Sequence, residues 1–301
     1  MAQCLNTNDM KIALYGKSFS EDRFFYFQQL IEKLEMSNCT VAVYKKFYDF
    51  VKTKSRFSVE PAIFSNYAEL PGNTDFLFSI GGDGTLLDAI ALIRDSGIPV
   101  MGINLGRLGF LSSISKDEIN AAIDALLRGE FKLNKRSLLQ VEVPGSLFGD
   151  LNYALNEFRI NKKESASMIL VHVYVDDLLL NSYWADGLII ATPTGSTAYS
   201  LSCNGPILIP ESENFVITPI APHNLTVRPV VIPDKSVIRV RVDGRLTQYL
   251  AGLDSRVAVI DTTADIIVRK AGFHVNLVMR SNGNFYTTLR QKLLWGLDVR
   301  N

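Results

Sequence analysis

One stretch constrains this chain more than any other. SIGGDGTLLDAI, residues 79–90, sets three glycines around one aspartate, directly after an apolar run and directly before a helical pattern. The residues leading into it, DFLFSI (75–80), read as a buried strand. TLLDAIALIRDSG (85–97) reads as a helix ending at glycine, and IPVMGIN (98–104) as another strand. Strand, helix and strand in so short a span predict a parallel βαβ unit. A glycine turn between a strand's C-terminal end and a helix N-terminus makes an anion site, because free N–H groups point outward and the helix dipole adds partial positive charge. In open α/β sheets ligands bind at this edge. Gly81, Gly82 and Gly84 therefore let a phosphate approach the backbone, with Thr85 next in the same turn. No Lys-Ser/Thr follows, so the loop is not a Walker A, and it is not GxGxxG either. Asp83 has two readings from spacing alone. It is a helix N-cap, or a general base that takes a proton from a hydroxyl attacking a phosphoryl group.

The rest of the first half agrees with an α/β domain. KIALYG (11–16) reads as a short buried strand, EDRFFYFQQLIEKLEMS (21–37) as a helix and TVAVYKKF (40–47) as β-rich, while 52–73 reads as loop or weak helix. After about residue 130 the character changes. LLQVEVPG, NYALNEFRI, SMILVHVYVDDLLL, DGLIIATP, FVITPI, SVIRVRVDGRLTQYLAG, RVAVI and DIIVRK are short, β-rich and divided by turn residues, as in an antiparallel sandwich or barrel. FYTTLRQKLLWG (285–296) is helical again. The expected organisation is an α/β domain over 1–130, parallel-sheeted and Rossmann-like, an all-β, sandwich-like domain over 131–280, and a helical segment over 281–301 packing back on the first.

Charge and cysteines exclude several classes. Among 301 residues the formal net charge is zero, with no lysine-arginine block, so nucleic acid is not the expected partner. There is no apolar run of about 18 residues and no signal-peptide pattern, which predicts no membrane span. Cys4, Cys39 and Cys203 are scattered, odd in number and without metal-ligand spacing, which fits a reduced, cytoplasmic compartment.

Three further stretches carry polar chemistry. GINLGRLGF (102–110) follows a strand and offers a second loop for the same crevice, or a turn needing positive φ at Gly106 or Gly109. In TPTGSTAYSLS (192–202) a strand runs through Pro193 and Gly195 into a Ser/Thr-rich helix start, where Ser196 or Thr197 can cap the helix. In LNE (155–157), Asn156 and Glu157 are neighbours on a strand and face opposite sides unless a bulge intervenes.

GGDGTLL (81–87), NLGRLGFL (104–111), LNE (155–157), DGLIIATPTGSTAYSLSCNGPIL (186–208), TPIAPHNLTVRPVVIP (218–233) and LRQKLLWG (289–296), in this order, resemble the bacterial NAD kinases. The GGDG loop alone is shared with lipid kinases and, more distantly, phosphofructokinases; the TPTGSTAYSLS segment with the upstream Asn-Glu is more specific. The resemblance implies phosphorylation of the 2′-hydroxyl of the adenosine ribose of NAD, by ATP or polyphosphate with magnesium or another divalent ion. It implies an α/β domain and an all-β domain with the site between them, in a homodimer or homotetramer. It makes Asp83 the catalytic base with Gly84 beside it, and Asn156 and Glu157 nucleotide contacts. Asp186 becomes a ligand near the nicotinamide end, and Thr197, Ala198, Tyr199, Ser200, Leu201 and Ser202 the lining of the dinucleotide site. The NAD and ATP phosphates should raise the pKa of Asp83. With no HxH or DxD cluster, no protein metal ligands are expected, and the ion rides on phosphates and water.

The sequence departs from the family at three places. Trp184 stands where many relatives carry a basic residue, and is read as core or interface, or as a ring that stacks on the ligand. Arg256, in the LDSR turn, stands where many have glutamine, and is read as a phosphate contact or a solvated turn residue. Ser167 replaces a larger polar residue. His223 matches a recurring family residue with an expected hydrogen-bonding, structural role. Two rival readings differ in class. A lipid kinase needs a long apolar acceptor channel, which the Thr/Ser/Tyr-rich wall does not suit, and a non-catalytic dinucleotide sensor does not need Asp83.

Overall fold

The computed structural model describes residues 10–106, 109–163, 168–243, 248–261, 264–281 and 283–294. The chain divides into two compact units: residues up to Lys135 together with those from Val275 on, and Arg136–His274.

The first unit contains β1 (Lys11–Gly16), α1 (Phe24–Met36), β2 (Thr40–Tyr44), α2 (Lys45–Val51), β3 (Ala62–Phe64), β4 (Phe76–Ile80), α3 (Asp83–Ile93), β5 (Val100–Asn104), β6 (Ile114–Ser115) and α4 (Ile119–Leu127). All its ladders between β1 and β5 are parallel, in the order β3-β2-β1-β4-β5. Every residue of β4 and β5 is buried, as expected of parallel strands covered on both faces. In α1 the buried set Phe27, Leu30, Ile31 and Leu34 repeats at helical spacing and enters the same core as Ile12, Leu14, Phe78 and Ile103.

Two segments depart from the sequence reading. The β-rich run 40–47 stops at Tyr44, and Lys45–Val51 is a helix. Phe47 and Val51, four apart, are both buried, and Lys45 pairs with Asp49 at 3.0 Å across the same spacing. The stretch 52–73 contains the short strand β3, which extends the sheet beyond β2. The helix after the glycine turn also starts two residues early, at Asp83, and ends before its glycine, with Arg94 at φ 54°.

The second unit holds most of β7 (Phe131–Glu142), then β8 (Tyr153–Ala154), β9 (Glu157–Lys162), β10 (Ile169–Val175), β11 (Leu178–Ala185), β12 (Gly187–Ala191), α5 (Tyr199–Ser202), β13 (Asn214–Ile220), β14 (Val230–Pro233), β15 (Ile238–Asp243), β16 (Gln248–Leu253) and β17 (Arg256–Asp261). β18 (Ile266–Arg280) begins in this unit and ends in the first, followed by α6 (Phe285–Leu293). One sheet runs β14-β13-β12-β9-β16-β17, antiparallel throughout. The other contains β11, β10, β15 and β18, also antiparallel. Phe158, Ile160, Leu188, Ile190, Phe215 and Ile217 of the first sheet share one core with Val171, Val173, Val240 and Val242 of the second, which makes a sandwich. Alternation along β10 and β15 supplies the inward set. β12 is buried at every position because Ile189 and Ala191, on its other face, pack with Cys203 and Leu208.

In SMILVHVYVDDLLL (167–180), read as one β-rich segment, residues 169–180 hold the turn of a hairpin. Asp176 and Asp177 form its turn with φ of 49° and 65°, a conformation Asp tolerates. No described helix is long and apolar enough to cross a membrane.

Candidate functional site

In the first unit the strand order reverses between β1 and β4, and the crevice at the C-terminal ends of such strands is where an open α/β sheet binds ligands. Gly81 and Gly82 follow β4 at that end. Gly81 has φ 150°, and a Cβ there would lie 2.5 Å from Thr85 Oγ1, so only glycine fits. Its N–H donates to Ile103 O at 2.9 Å, tying the turn to β5. Gly82 is the N-cap of α3 and no side chain caps it. Thr85 is buried, and its N–H donates to Gly82 O at 3.0 Å. Gly84 is exposed, with open space where a Cβ would stand.

The capping reading of Asp83 is therefore corrected: it is the first residue of α3, not its cap. Its carboxylate reaches across to the loop after β5. Oδ2 accepts from the Phe110 N–H at 2.8 Å, and Oδ1 from the N–H groups of Leu111 at 3.1 Å and Ser112 at 3.0 Å. A carboxylate has about four acceptor directions. Among the described residues, the three bonds leave one, on Oδ2. The same contact explains the second glycine stretch. Neither Gly106 nor Gly109 has positive φ, contrary to the turn reading. A Cβ on Gly109 would come within 2.6 Å of Asp83 Oδ2 and closer still to Oδ1, and one on Gly106 would lie 3.1 Å from Arg23 Nη2. Gly109 is glycine because the carboxylate occupies its side-chain space.

In the second unit the structure brings LNE and TPTGST together. Asn156 precedes β9 and is partly buried; Glu157 opens the strand and is buried. The Asn156 carbonyl accepts from the Thr192 N–H at 2.9 Å, and the Thr192 hydroxyl donates to Leu155 O at 2.5 Å. A Cβ on Gly195 would lie 2.8 Å from Asn156 Cα and nearer still to its carbonyl, so the turn can pass LNE only as glycine. The helix expected after Gly195 is broken. A 3-10 turn covers Gly195–Thr197, Ala198 departs from helical geometry, and α5 is four residues long. Neither Ser196 nor Thr197 caps it. Ser196 Oγ donates to Pro193 O at 2.7 Å and accepts from the Leu208 N–H at 2.9 Å, and Thr197 Oγ1 donates to Thr194 O at 3.2 Å. Thr197, Ala198 and Leu201 are partly exposed, and Tyr199 and Ser202 are exposed. Ser200, expected among the ligand contacts, is fully buried, with its hydroxyl 2.9 Å from that of Thr218.

Two residues of this cluster escaped the sequence reading. Asp254, at φ 51° in the turn between β16 and β17, accepts from three consecutive N–H groups: Leu155 at 2.8 Å, Asn156 at 2.9 Å and Glu157 at 3.2 Å. Burial pushes its carboxyl pKa up, while the three N–H bonds and the nearby Arg256 pull the other way. Arg136, at the start of the unit, is buried with Nη1 3.4 Å from Thr194 Oγ1, and no partner for Nε. Glu157 is pushed up to about 7, first by burial and then by the Asp254 charge, with Arg159 opposing. Its Oε2 is buried and has no hydrogen-bond partner.

Arg256, read as a phosphate contact or a solvated turn residue, is partly buried, and its guanidinium donates to the carbonyls of Leu151, Tyr153 and Leu253, beneath LNE. Trp184 is not core: 55% of it is exposed. It borders a 520 Å³ cavity with Tyr183, Pro222, His223 and Leu225, and its carbonyl accepts from the His223 N–H at 2.8 Å. Asp186 lies just before β12, half-exposed, and pairs with Lys162 at 2.6 Å. Ser167 and Cys4 lie outside the described residues. Among the described residues no three His, Cys, Asp or Glu side chains gather as a metal site.

The chain matches the ATP-NAD kinase N-terminal domain over residues 21–131 and the ATP-NAD kinase C-terminal domain over residues 155–280. It is 46% identical to an NAD kinase of Cytophaga hutchinsonii over 97% of this chain and 100% of that protein. It is 43% identical to one of Porphyromonas gingivalis over 96% and 99%. Among solved structures it resembles an Archaeoglobus fulgidus NAD kinase in complex with ATP, with TM-score 0.72 and 25% identity, covering 95% of this chain and 99% of that one. It also shares the fold of a yeast NADH kinase complexed with NADH, with TM-score 0.84 and 24% identity over 97% of this chain and 90% of the other.

Proposed function

The chain belongs to the ATP-NAD kinase family, and we infer that it transfers the γ-phosphoryl group of ATP to the 2′-hydroxyl of the adenosine ribose of NAD, giving NADP and ADP. The observation that carries the mechanism is the Asp83 carboxylate, fixed by the N–H groups of Phe110, Leu111 and Ser112 with one acceptor direction left on Oδ2. That direction accepts the ribose hydroxyl, orients it for in-line attack and takes its proton as the oxygen–phosphorus bond forms. The N–H groups of Asp83 and Gly84 lie ahead of the first bond of α3, from Thr85 to Gly82, and Gly84 leaves the approach open, so phosphate charge is stabilised there by the backbone and helix dipole.

Asn156, Glu157, Asp186, Thr197, Ala198, Tyr199, Leu201 and Ser202 are assigned to nucleotide binding. Their partial exposure supports this for all but Glu157, whose orphaned Oε2 is the argument instead. Magnesium, when bound, neutralises charge on the donor phosphates, with phosphate oxygens and water as its ligands. We assign the enzyme to the cytoplasm, consistent with free Cys39 and Cys203, and to a homodimer or homotetramer, which light scattering tests.

The test is NADP formation from NAD and magnesium-ATP by purified protein, with Asp83→Asn alongside. The variant should lose about 10²–10⁴-fold in kcat. A loss below about threefold removes Asp83 from the role of base while leaving the kinase intact.

A further inference from the structure

The Asp254 turn is absent from the nucleotide contacts assigned above, yet it holds their backbone. Its two oxygens take the N–H groups of Leu155, Asn156 and Glu157, 97 to 99 residues away in sequence. The other side of the same run is held by Thr192 and faced by Gly195, so its peptide planes are fixed from both directions. Arg256 backs the turn on the carbonyls of Leu151 and Tyr153, just upstream of the run. We propose that Asp254 is a positioning residue for nucleotide recognition: by gripping three consecutive N–H groups it sets the direction from which Asn156 and Glu157 meet the dinucleotide. This rests on the NAD kinase reading.

The grip has a chemical consequence for Glu157. The titratable groups around that side chain are Asp254, Arg159 with Nη1 3.9 Å from Oε1, and the neutral Cys203 thiol, whose pKa is raised by burial and then by Glu157. Arg159 is committed in part elsewhere, donating to the Asp254 carbonyl at 2.8 Å. Burial first, and then the Asp254 carboxylate, favour a proton on Glu157, and a protonated carboxyl donates a hydrogen bond to an acceptor on the nucleotide. Binding should then weaken as pH rises through about 7, where Glu157 loses that proton.

The experiment compares full-length wild type, Asp254→Asn, Glu157→Gln and the double variant, measuring kcat and KM for NAD from about pH 5.5 to about 8.5. Asn tolerates the positive φ of position 254 but turns an N–H₂ donor toward the three N–H groups. Asp254→Asn should raise KM about 10- to 100-fold with kcat changed less than about threefold, the loss expected for hydrogen bonds to a charged group. It should also move the alkaline rise of KM to lower pH, because the charge that favours the proton is gone. Glu157→Gln should flatten that rise, and the double variant should be no worse than Asp254→Asn beyond about twofold, as expected of residues acting as a unit.

A KM within about twofold of wild type, or an unmoved pH midpoint, overturns the proposal. If Asp254→Asn does not fold, Asp254→Ser, which removes the buried charge and keeps one acceptor, is read by the same criteria. Absence of NADP formation by wild type would count against the kinase reading instead. The calorimetric Kd for NAD would then replace KM and decide the positioning role separately.

Discussion

Asp83 and Asp254 are built alike and left in different states. Each carboxylate takes three consecutive backbone N–H groups from a distant loop: Phe110–Ser112 for one, Leu155–Glu157 for the other. Asp83 stands at the mouth of a helix, partly exposed, and Gly109 has given up its side chain to admit it. Asp254 is also partly buried, in a turn between two strands, and there desolvation raises its pKa. The same hydrogen-bond pattern thus serves chemistry at a helix start and architecture in a strand turn. The neighbours decide which, not the motif.

The comparison breaks most sharply at Gly109. A methyl group there occupies the space of the Asp83 carboxylate, so Gly109→Ala should lower kcat by about 10²-fold or more, comparable to losing the base itself. Its melting temperature should fall much less than its activity. Steady-state turnover and thermal unfolding of one preparation check both halves, and near-normal kcat would mean that the carboxylate does not need its cradle.

On the Asp254 side, the pH dependence of stability sharpens the contrast. Glu157 has its folded pKa raised from the ordinary 4.5 to about 7. The folded state therefore binds this proton more tightly than the unfolded chain, and the stability it contributes is full below about 4.5 and lost as pH rises through about 7. The loss is on the order of 3 kcal/mol at pH 8. Glu157→Gln, which cannot ionise, should lack that decline. Denaturant unfolding of both proteins at pH 5 and pH 8 would show the gap opening at the higher pH, and parallel curves would contradict the buried-acid picture.

The smallest effect belongs to Gly84. Nothing lies within 4 Å of a Cβ there, and the residue is in the first turn of α3. Gly84→Ala should leave stability unchanged or raise it by about 0.5–1 kcal/mol through helix propensity, while KM for ATP rises. Loss of stability would show that the open space is needed by the fold rather than by the ligand.

What the sequence made legible was local. The apolar run of β4, the glycines after it and the helical pattern of α3 lie within one short stretch, and all formed where expected, apart from the early start of the helix at Asp83 and its early end at Ile93. The switch from α/β to all-β character was readable because strand alternation and turn residues are short-range signals. Features set by distant partners were not readable. Nothing near Asp254 announces that its acceptors face residues 155–157, and nothing near Arg256 announces the carbonyls of Leu151 and Tyr153. Gly109 looked like a turn glycine because its reason, the Asp83 carboxylate, arrives from another loop. The Asp176–Asp177 turn carried a usable signal, two αL-tolerant residues between apolar runs, that the continuous apolar pattern obscured.

The cradle around Asp83 also gives the enzyme an indicator. Three main-chain amides, those of Phe110, Leu111 and Ser112, end on the atoms that exchange the proton in the proposed reaction. Their nitrogen and proton resonances should move together whenever that carboxylate gains a proton, meets a hydroxyl or turns away. Isotope labelling of these amides would let the state of the site be followed in solution without attaching a probe to it.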